Sequence, residues 1–342
     1  MNRRKKLRNL LAILNDKGSI LRATFSTNRR TASLRAAVLR ATTHDSSSPP
    51  SDNRIASVLT KGNPTRATAG ACIEALMDRL QYTRSAIVAL KCLFLAHNII
   101  WKGSFFFNDQ LSFYPSSGGK NFLNLSGFQD KSDMKMKEFS SWVRWYASIL
   151  EQNLSTSRVL GYYLCSSFNN NKKDRQGKFS LLLSSELLEE VQVLVDYVER
   201  VTNAPDWLHL RSNDLVYEVV RLVSEDYRSV QHELVPRVEE LGERAVGLSY
   251  GELTQLVCDL KRLEDFRESL FLLFGNRKRN DQFWDLIKQT RDKVFETKET
   301  RDQQKKIEWI GGGNQESEST RFWNPFVDHP GQLLQLTVPT LG

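Results

Sequence analysis

The chain has 342 residues, 40% of them apolar, with four cysteines and a formal charge of +8. That length allows a sizeable buried core in one large domain or two ordinary ones, and the apolar fraction excludes a wholly disordered chain. The charge is lopsided: residues 1–44 hold eleven lysines and arginines against one acid, Asp16, so a +10 pole sits on a body that sums to −2.

In chain order, Leu7, Leu10, Leu11 and Leu14 recur at helical spacing, with Arg4 and Arg8 beside them. The start is basic, but its apolar stretch is short and lacks a small-residue cleavage site, which argues against a signal peptide. Thr31–His44 reads as a second helix with Leu34, Val38 and Ala41 on one stripe. It runs into the polar segment Ser46–Asp52, where Pro49 and Pro50 prevent continuation. Asp52 or Asn53 can cap a short helix, Arg54–Lys61, that stops at Gly62 and Pro64. Thr65 can cap the next helix, Arg66–Tyr82. Arg84–Lys102 follows and ends at Gly103. It is the most apolar stretch, but Lys91 and His97 interrupt it and a bilayer needs about 20 apolar residues, so it reads as a buried helix.

Residues 112–135 read as loop, with Pro115 and the runs SSGGK and LNLSGFQDKSD. Phe139, Trp142, Trp145, Tyr146, Ile149 and Leu150 then give a helix of aromatic spacing. Leu181–Val201, Asn213–Leu234, Glu239–Val246, Tyr250–Leu273 and Asp281–Lys305 complete the set, and no alternating strand is visible. The expected fold is all-α, a superhelical solenoid of about ten helices in which successive pairs bury their stripes against neighbours. Residues 1–305 form the helical domain, and residues 306–342, opening on GGGNQESESTR, form a flexible tail.

The sequence offers no catalytic motif, so the protein is expected not to be an enzyme. Ser116–Lys120 has the flavour of a phosphate loop, but Tyr114 stands where the first glycine belongs and Asn121 follows the lysine. Cys72, Cys92, Cys165 and Cys258 are far apart among apolar neighbours, as in a reduced cytosolic core, with no metal or cofactor spacing. His97, in the most apolar helix, reads as a hydrogen-bonded core histidine. The basic pole is the usable chemistry. It suits a polyanion, either nucleic acid or an anionic membrane. Nucleic-acid recognition adds stacking aromatics near the charge, and residues 1–44 contain one, Phe25. That favours a membrane, with each basic residue contributing about 1 kcal/mol at an anionic leaflet.

Several motifs carry a resemblance. LRATTH (Leu39–His44) before a proline loop, AIVALKCLFLAHNIIWKGS, FLNLSGFQDKSD with FSSWVRWYASILEQNL, and NDLVYEVVRLVSEDYRSV occur in the order found in the ANTH domain of clathrin assembly proteins. The similarity covers residues 3–300 and is nearest in feel to plant members. It implies a solenoid that binds phosphatidylinositol 4,5-bisphosphate and promotes clathrin coat assembly in endocytosis. It also implies a grip on R-SNARE cargo, and a location on the cytoplasmic face of coated pits and vesicles, plasma-membrane or Golgi.

Carried over residue by residue, the head-group site places Arg40 at the family's lysine before Ala-Thr and His44 at its loop-edge histidine. Arg54 falls at the histidine of the family's basic cluster, while Ser51 and Asn53 replace basic residues and Asp52 adds an acid. Lys5, Lys6 and Arg8 complete the expected lipid-facing set. In the tail, Asn324, Pro325 and Phe326 resemble the motif read by EH-domain proteins, and Leu333–Thr337 resembles a clathrin box without its acidic end. The alternative reading is a helical-repeat scaffold for protein cargo or nucleic acid with a degraded lipid site.

Overall fold

The computed structural model describes residues 14, 16, 18, 29–44, 47–112, 123–165, 179–206, 210, 212–275 and 281–311. Compactness divides the chain into two units, Met1–Lys298 and Glu299–Gly342. The described residues form ten helices and no strand: α1 Arg29–Ala41, α2 Asp52–Gly62, α3 Arg66–Tyr82, α4 Ala86–Lys102, α5 Phe105–Leu111, α6 Met134–Leu160, α7 Ser184–Thr202, α8 Asp214–Glu243, α9 Tyr250–Phe274 and α10 Asp281–Gly311.

Neighbours in sequence are neighbours in space. Helix α1 packs on α2 and α3, α3 on α4 and α5, α4 on α6, α6 on α7, and α7 on both α8 and α9. This stacking is the expected all-α solenoid. Helix α4 lies at its centre, with every residue from Ala86 to Ile100 buried. Burying one Leu, Ile or Phe side chain contributes about 1.5–3 kcal/mol, so a helix sunk on all sides anchors both flanking layers. The stripe Leu34, Val38 and Ala41 of α1 is buried as its spacing requires.

Local chemistry sets the helix ends. Thr65 caps α3 by accepting from the Thr68 N–H at 3.2 Å. Asp133, Asn213 and Ser249 cap α6, α8 and α9 in the same way. Gly275 closes α9 at φ 64°, a left-handed conformation that costs glycine little. Helix α2 starts two residues before the expected Arg54: Ser51 is the N-cap and makes no side-chain cap bond, so Asp52 and Asn53 lie inside the helix.

Two further expectations are corrected, and one helix stands where the chain-order reading assigned nothing. That helix is α5, between Gly103 and the loop that opens at residue 112. It forms because Phe107 packs into the gap beside Gly62, where an added Cβ would lie 2.0 Å from the Phe107 ring. Helix α8 does not break at Pro236 but runs through it to Glu243. Proline removes one backbone donor, which opens the ladder locally. The next residue, Arg237, braces the helix at this point: its Nη1 donates to the Glu233 carbonyl at 2.7 Å, and the guanidinium pairs with the Glu233 carboxylate at 2.6 Å and Glu190 at 2.6 Å. Tyr162 closes this buried group by donating its hydroxyl to Glu233. Finally, α10 extends past the expected Lys305 to Gly311.

A second buried polar knot ties four helices together. The carboxylate of Asp226 in α8 is fully buried and accepts from Trp101 of α4 (2.7 Å), Asn153 of α6 (2.7 Å) and Tyr197 of α7 (2.9 Å). His97 of α4 approaches the same carboxylate through Nε2 at 3.0 Å and pairs with the Tyr146 hydroxyl through Nδ1 at 2.8 Å. His97 is therefore the hydrogen-bonded core histidine that its apolar surroundings called for.

Candidate functional site

The basic lip is built from the end of α1 outward. Helix α1 ends at Ala41, and cations from two other helices hold the two backbone carbonyls that follow it. Arg79 at the end of α3 donates to the Thr42 carbonyl at 3.2 Å, and Lys91 from inside α4 donates to the Thr43 carbonyl at 2.9 Å. Thr42 turns its own hydroxyl back onto the Val38 carbonyl at 2.8 Å. Positive charge at a helix C-terminus is also favoured by the helix dipole. The lysine that interrupts the most apolar helix thus has a structural duty at the lip.

Asp16, the one acid of the basic pole, locks the turn. Its carboxylate accepts from the His44 backbone N–H at 2.8 Å, contacts His44 Nδ1 at 2.6 Å and accepts from Arg79 at 2.6 Å. It is only 4% exposed. Burial pushes the Asp16 carboxyl up, but the His44 and Arg79 hydrogen bonds outweigh it and hold the group below its ordinary value of 3.8.

Two of the expected lipid-facing residues converge on this turn. Arg40 is exposed in the last turn of α1. Arg54 is exposed in the first turn of α2 and reaches back to the Thr43 hydroxyl at 3.4 Å. His44 commits Nδ1 to Asp16, so it works as part of the clamp. Lys61 ends α2, roughly 10 Å along the helix axis from Arg54 at 1.5 Å per residue. Lys5, Lys6 and Arg8 lie outside the described residues, as do Asn324, Pro325, Phe326 and the Leu333–Thr337 segment. Asp16, Arg79 and Lys91 are the lip residues that sequence reasoning missed. The available signal was local only for Lys91, a charge among apolar neighbours, whereas Asp16 and Arg79 sit beside the charged residues Lys17 and Asp78.

Among the described residues, no group of three His, Cys, Asp or Glu side chains is arranged to hold a metal, and no helix is long and apolar enough to cross a membrane. The four cysteines are unpaired. Cys72 and Cys92 are buried, and burial pushes both thiols up to about 12. Cys258 departs from the expected core placement and is exposed on α9.

Comparison with known proteins gives one consistent picture. The ANTH domain profile matches residues 33–274. Three Arabidopsis thaliana proteins that carry the name clathrin assembly protein align over most of their length. At4g40080 is 39% identical over 335 residues, covering 96% of this chain and 92% of that protein. At5g10410 is 30% identical over 258 residues, covering 73% and 74% respectively. At5g65370 is 28% identical over 308 residues, covering 84% and 99%.

Proposed function

This chain belongs to the ANTH domain family, and on that premise we propose that it is a non-enzymatic endocytic adaptor that docks peripherally on phosphoinositide-containing membrane and promotes clathrin coat assembly. The observation that carries the reading is the lip. Its carbonyls and His44 are tied inward by Asp16, Arg79 and Lys91, while Arg40 and Arg54 are presented outward on either side of the same turn. A guanidinium meets a phosphate with two parallel donors, and a turn already fixed loses little further freedom on binding. Lys5, Lys6 and Arg8 add long-range attraction to an anionic leaflet. Residues 1–305 act as the lipid-binding helical domain, and residues 306–342 act as the recruiting tail. In that tail Asn324, Pro325 and Phe326 bind an EH-domain protein, and Leu333–Thr337 contacts clathrin. Cargo of the R-SNARE class is gripped by the later helices, on coated pits and vesicles of the plasma membrane or Golgi.

Vesicle flotation at physiological salt tests the lipid step. Recovery with vesicles containing phosphatidylinositol 4,5-bisphosphate should exceed recovery with neutral vesicles several-fold, and equal recovery would refute it. One observation favours the second reading, a scaffold for protein cargo: Ser51 and Asn53 are exposed where the family resemblance calls for basic residues, and the acid Asp52 is exposed between them.

A further inference from the structure

A cleft of about 610 Å³ opens beside the lip, between the Pro49–Pro50 turn, the end of α4 and the first turns of α8. Ser47 and Ser48, just before Pro49, lead into its wall. Asn213, the cap of α8, fastens this segment by donating Nδ2 to Ser47 Oγ at 3.0 Å. Pro50, Ile55, Phe94 and the exposed ring of Tyr217 give the cleft apolar sides.

Its polar groups are mostly acceptors. Asn98 lines the cleft at 2% exposure and donates Nδ2 to the Phe94 carbonyl at 2.9 Å, which leaves an occupant the acceptor Oδ1. Asp52 and Asp214 line it as exposed carboxylates with no hydrogen bond or ion pair to a described residue. Glu218 is a third carboxylate, already paired with Arg221 at 2.8 Å. Lys102 is the one cation among the lining residues outside that pair.

Acceptors beside aliphatic and aromatic walls suit a guanidinium or ammonium on an apolar stem. An anion would meet three carboxylates, and a polycation would meet Lys102 and Arg221. We propose that this cleft binds a peptide bearing a lysine or arginine, of the kind that flanks the cytoplasmic end of a membrane span. Cytoplasmic segments next to membrane spans carry an excess of such residues. The cleft shares the first turn of α2 with the lip, so such a peptide would be met at the bilayer surface. That last step rests on the membrane-docking reading above. The proposal also gives Asp52 a purpose: the acid that dilutes the charge of the lip is one that the cleft uses.

Methyl NMR on the full chain tests this, with Ile55 as reporter and Ile73 and Ile149 as remote controls. The probe is the blocked peptide Gly-Ser-Gly-Arg-Gly-Ser-Gly, with counterparts carrying Lys, Gln or Glu at its centre. The Arg and Lys peptides should shift Ile55 saturably and leave the controls still. The Gln peptide should bind several-fold more weakly, and the Glu peptide should not bind. Asp52→Asn with Asp214→Asn should weaken Arg-peptide binding about tenfold, with the remaining methyl spectrum unchanged. A silent Ile55, an equal response to the Glu peptide, or full affinity in the double variant would each overturn the proposal. Arg40→Glu should lower vesicle flotation and leave the Ile55 response intact. If the unaltered chain fails to float while Ile55 still responds, the membrane reading falls and the peptide cleft stands.

Discussion

Two carboxylates in this chain each sit against a histidine, and their surroundings differ in what they hold still. Asp226 is fully buried, and its donors Trp101, Asn153 and Tyr197 come from three other helices. Asp16 is nearly as hidden at 4% exposure, but it holds a turn: the His44 backbone and ring, and the end of Arg79. The His44 side chain keeps 22% of its surface exposed, whereas that of His97 has none. One pair therefore joins layers of the solenoid, and the other fixes a turn at the surface. The same chemistry braces a core or a surface turn according to how many groups it would strand without water.

Removing each carboxylate tests that distinction, and Asp226→Ala should have the largest effect. It strands three donors and His97 in a dry interior, for an expected loss of about 3–5 kcal/mol in urea unfolding. If the alanine variant does not fold, Asp226→Asn should show the same sign with a smaller loss, since it retains one acceptor oxygen. A loss below about 1 kcal/mol, typical of an exposed pair, would erase the contrast with the lip.

Asp16→Ala comes next, at about 1–3 kcal/mol, because water reaches the partners it releases. Hydrogen exchange at the His44 amide should accelerate, while amides of α4 should not change. The pH dependence has a definite sign. Burial raises the Asp16 carboxyl, the His44 and Arg79 hydrogen bonds lower it further, and the net value in the folded chain lies below 3.8. A depressed carboxylate contributes stability above its unfolded value and loses it as pH falls through the folded one. The stability curves of the unaltered chain and Asp16→Ala should therefore run apart above pH 3.8 and converge below it.

This asymmetry explains what was legible in the sequence. Helix ends were readable where the signal is local, as at Thr65 and Gly103. Pro236 misled because the helix is held across it by the buried side chain of Arg237, whose partners include Glu190, 47 residues away. Helix α5 was missed because its reason for folding is the space beside Gly62 in another helix. Arg40 and Arg54 stand out in the sequence by charge and motif, and both are exposed at helix ends beside the turn. Asp16 was not readable, because its partners arrive 28 and 63 residues later. Asp226 looks in sequence like one more acid in the run SEDYR, and its bond to Trp101 spans 125 residues.

The smallest expected stability effect belongs to Arg40→Glu, and it separates the two regions most sharply. Arg40 is exposed and has no hydrogen bond or ion pair to a described residue, so its reversal strands nothing inside the fold. Urea unfolding should shift by no more than about 0.5 kcal/mol. Membrane recruitment should fall much further, because one positive charge is lost and one negative charge gained at the leaflet. At about 1 kcal/mol per charge this is about 2 kcal/mol, or roughly thirty-fold in the partition coefficient at low curvature and fixed salt. The clamp adds a condition. If Asp16 matters because it fixes the turn, Arg40→Glu should weaken recruitment less in an Asp16→Ala background, where the turn no longer presents the guanidinium in one place. A coupling of that kind in the double-mutant cycle would tie lip geometry to lipid binding. Strict additivity would instead make Arg40 one charge of a diffuse basic surface, with the Asp16 clamp serving the fold alone.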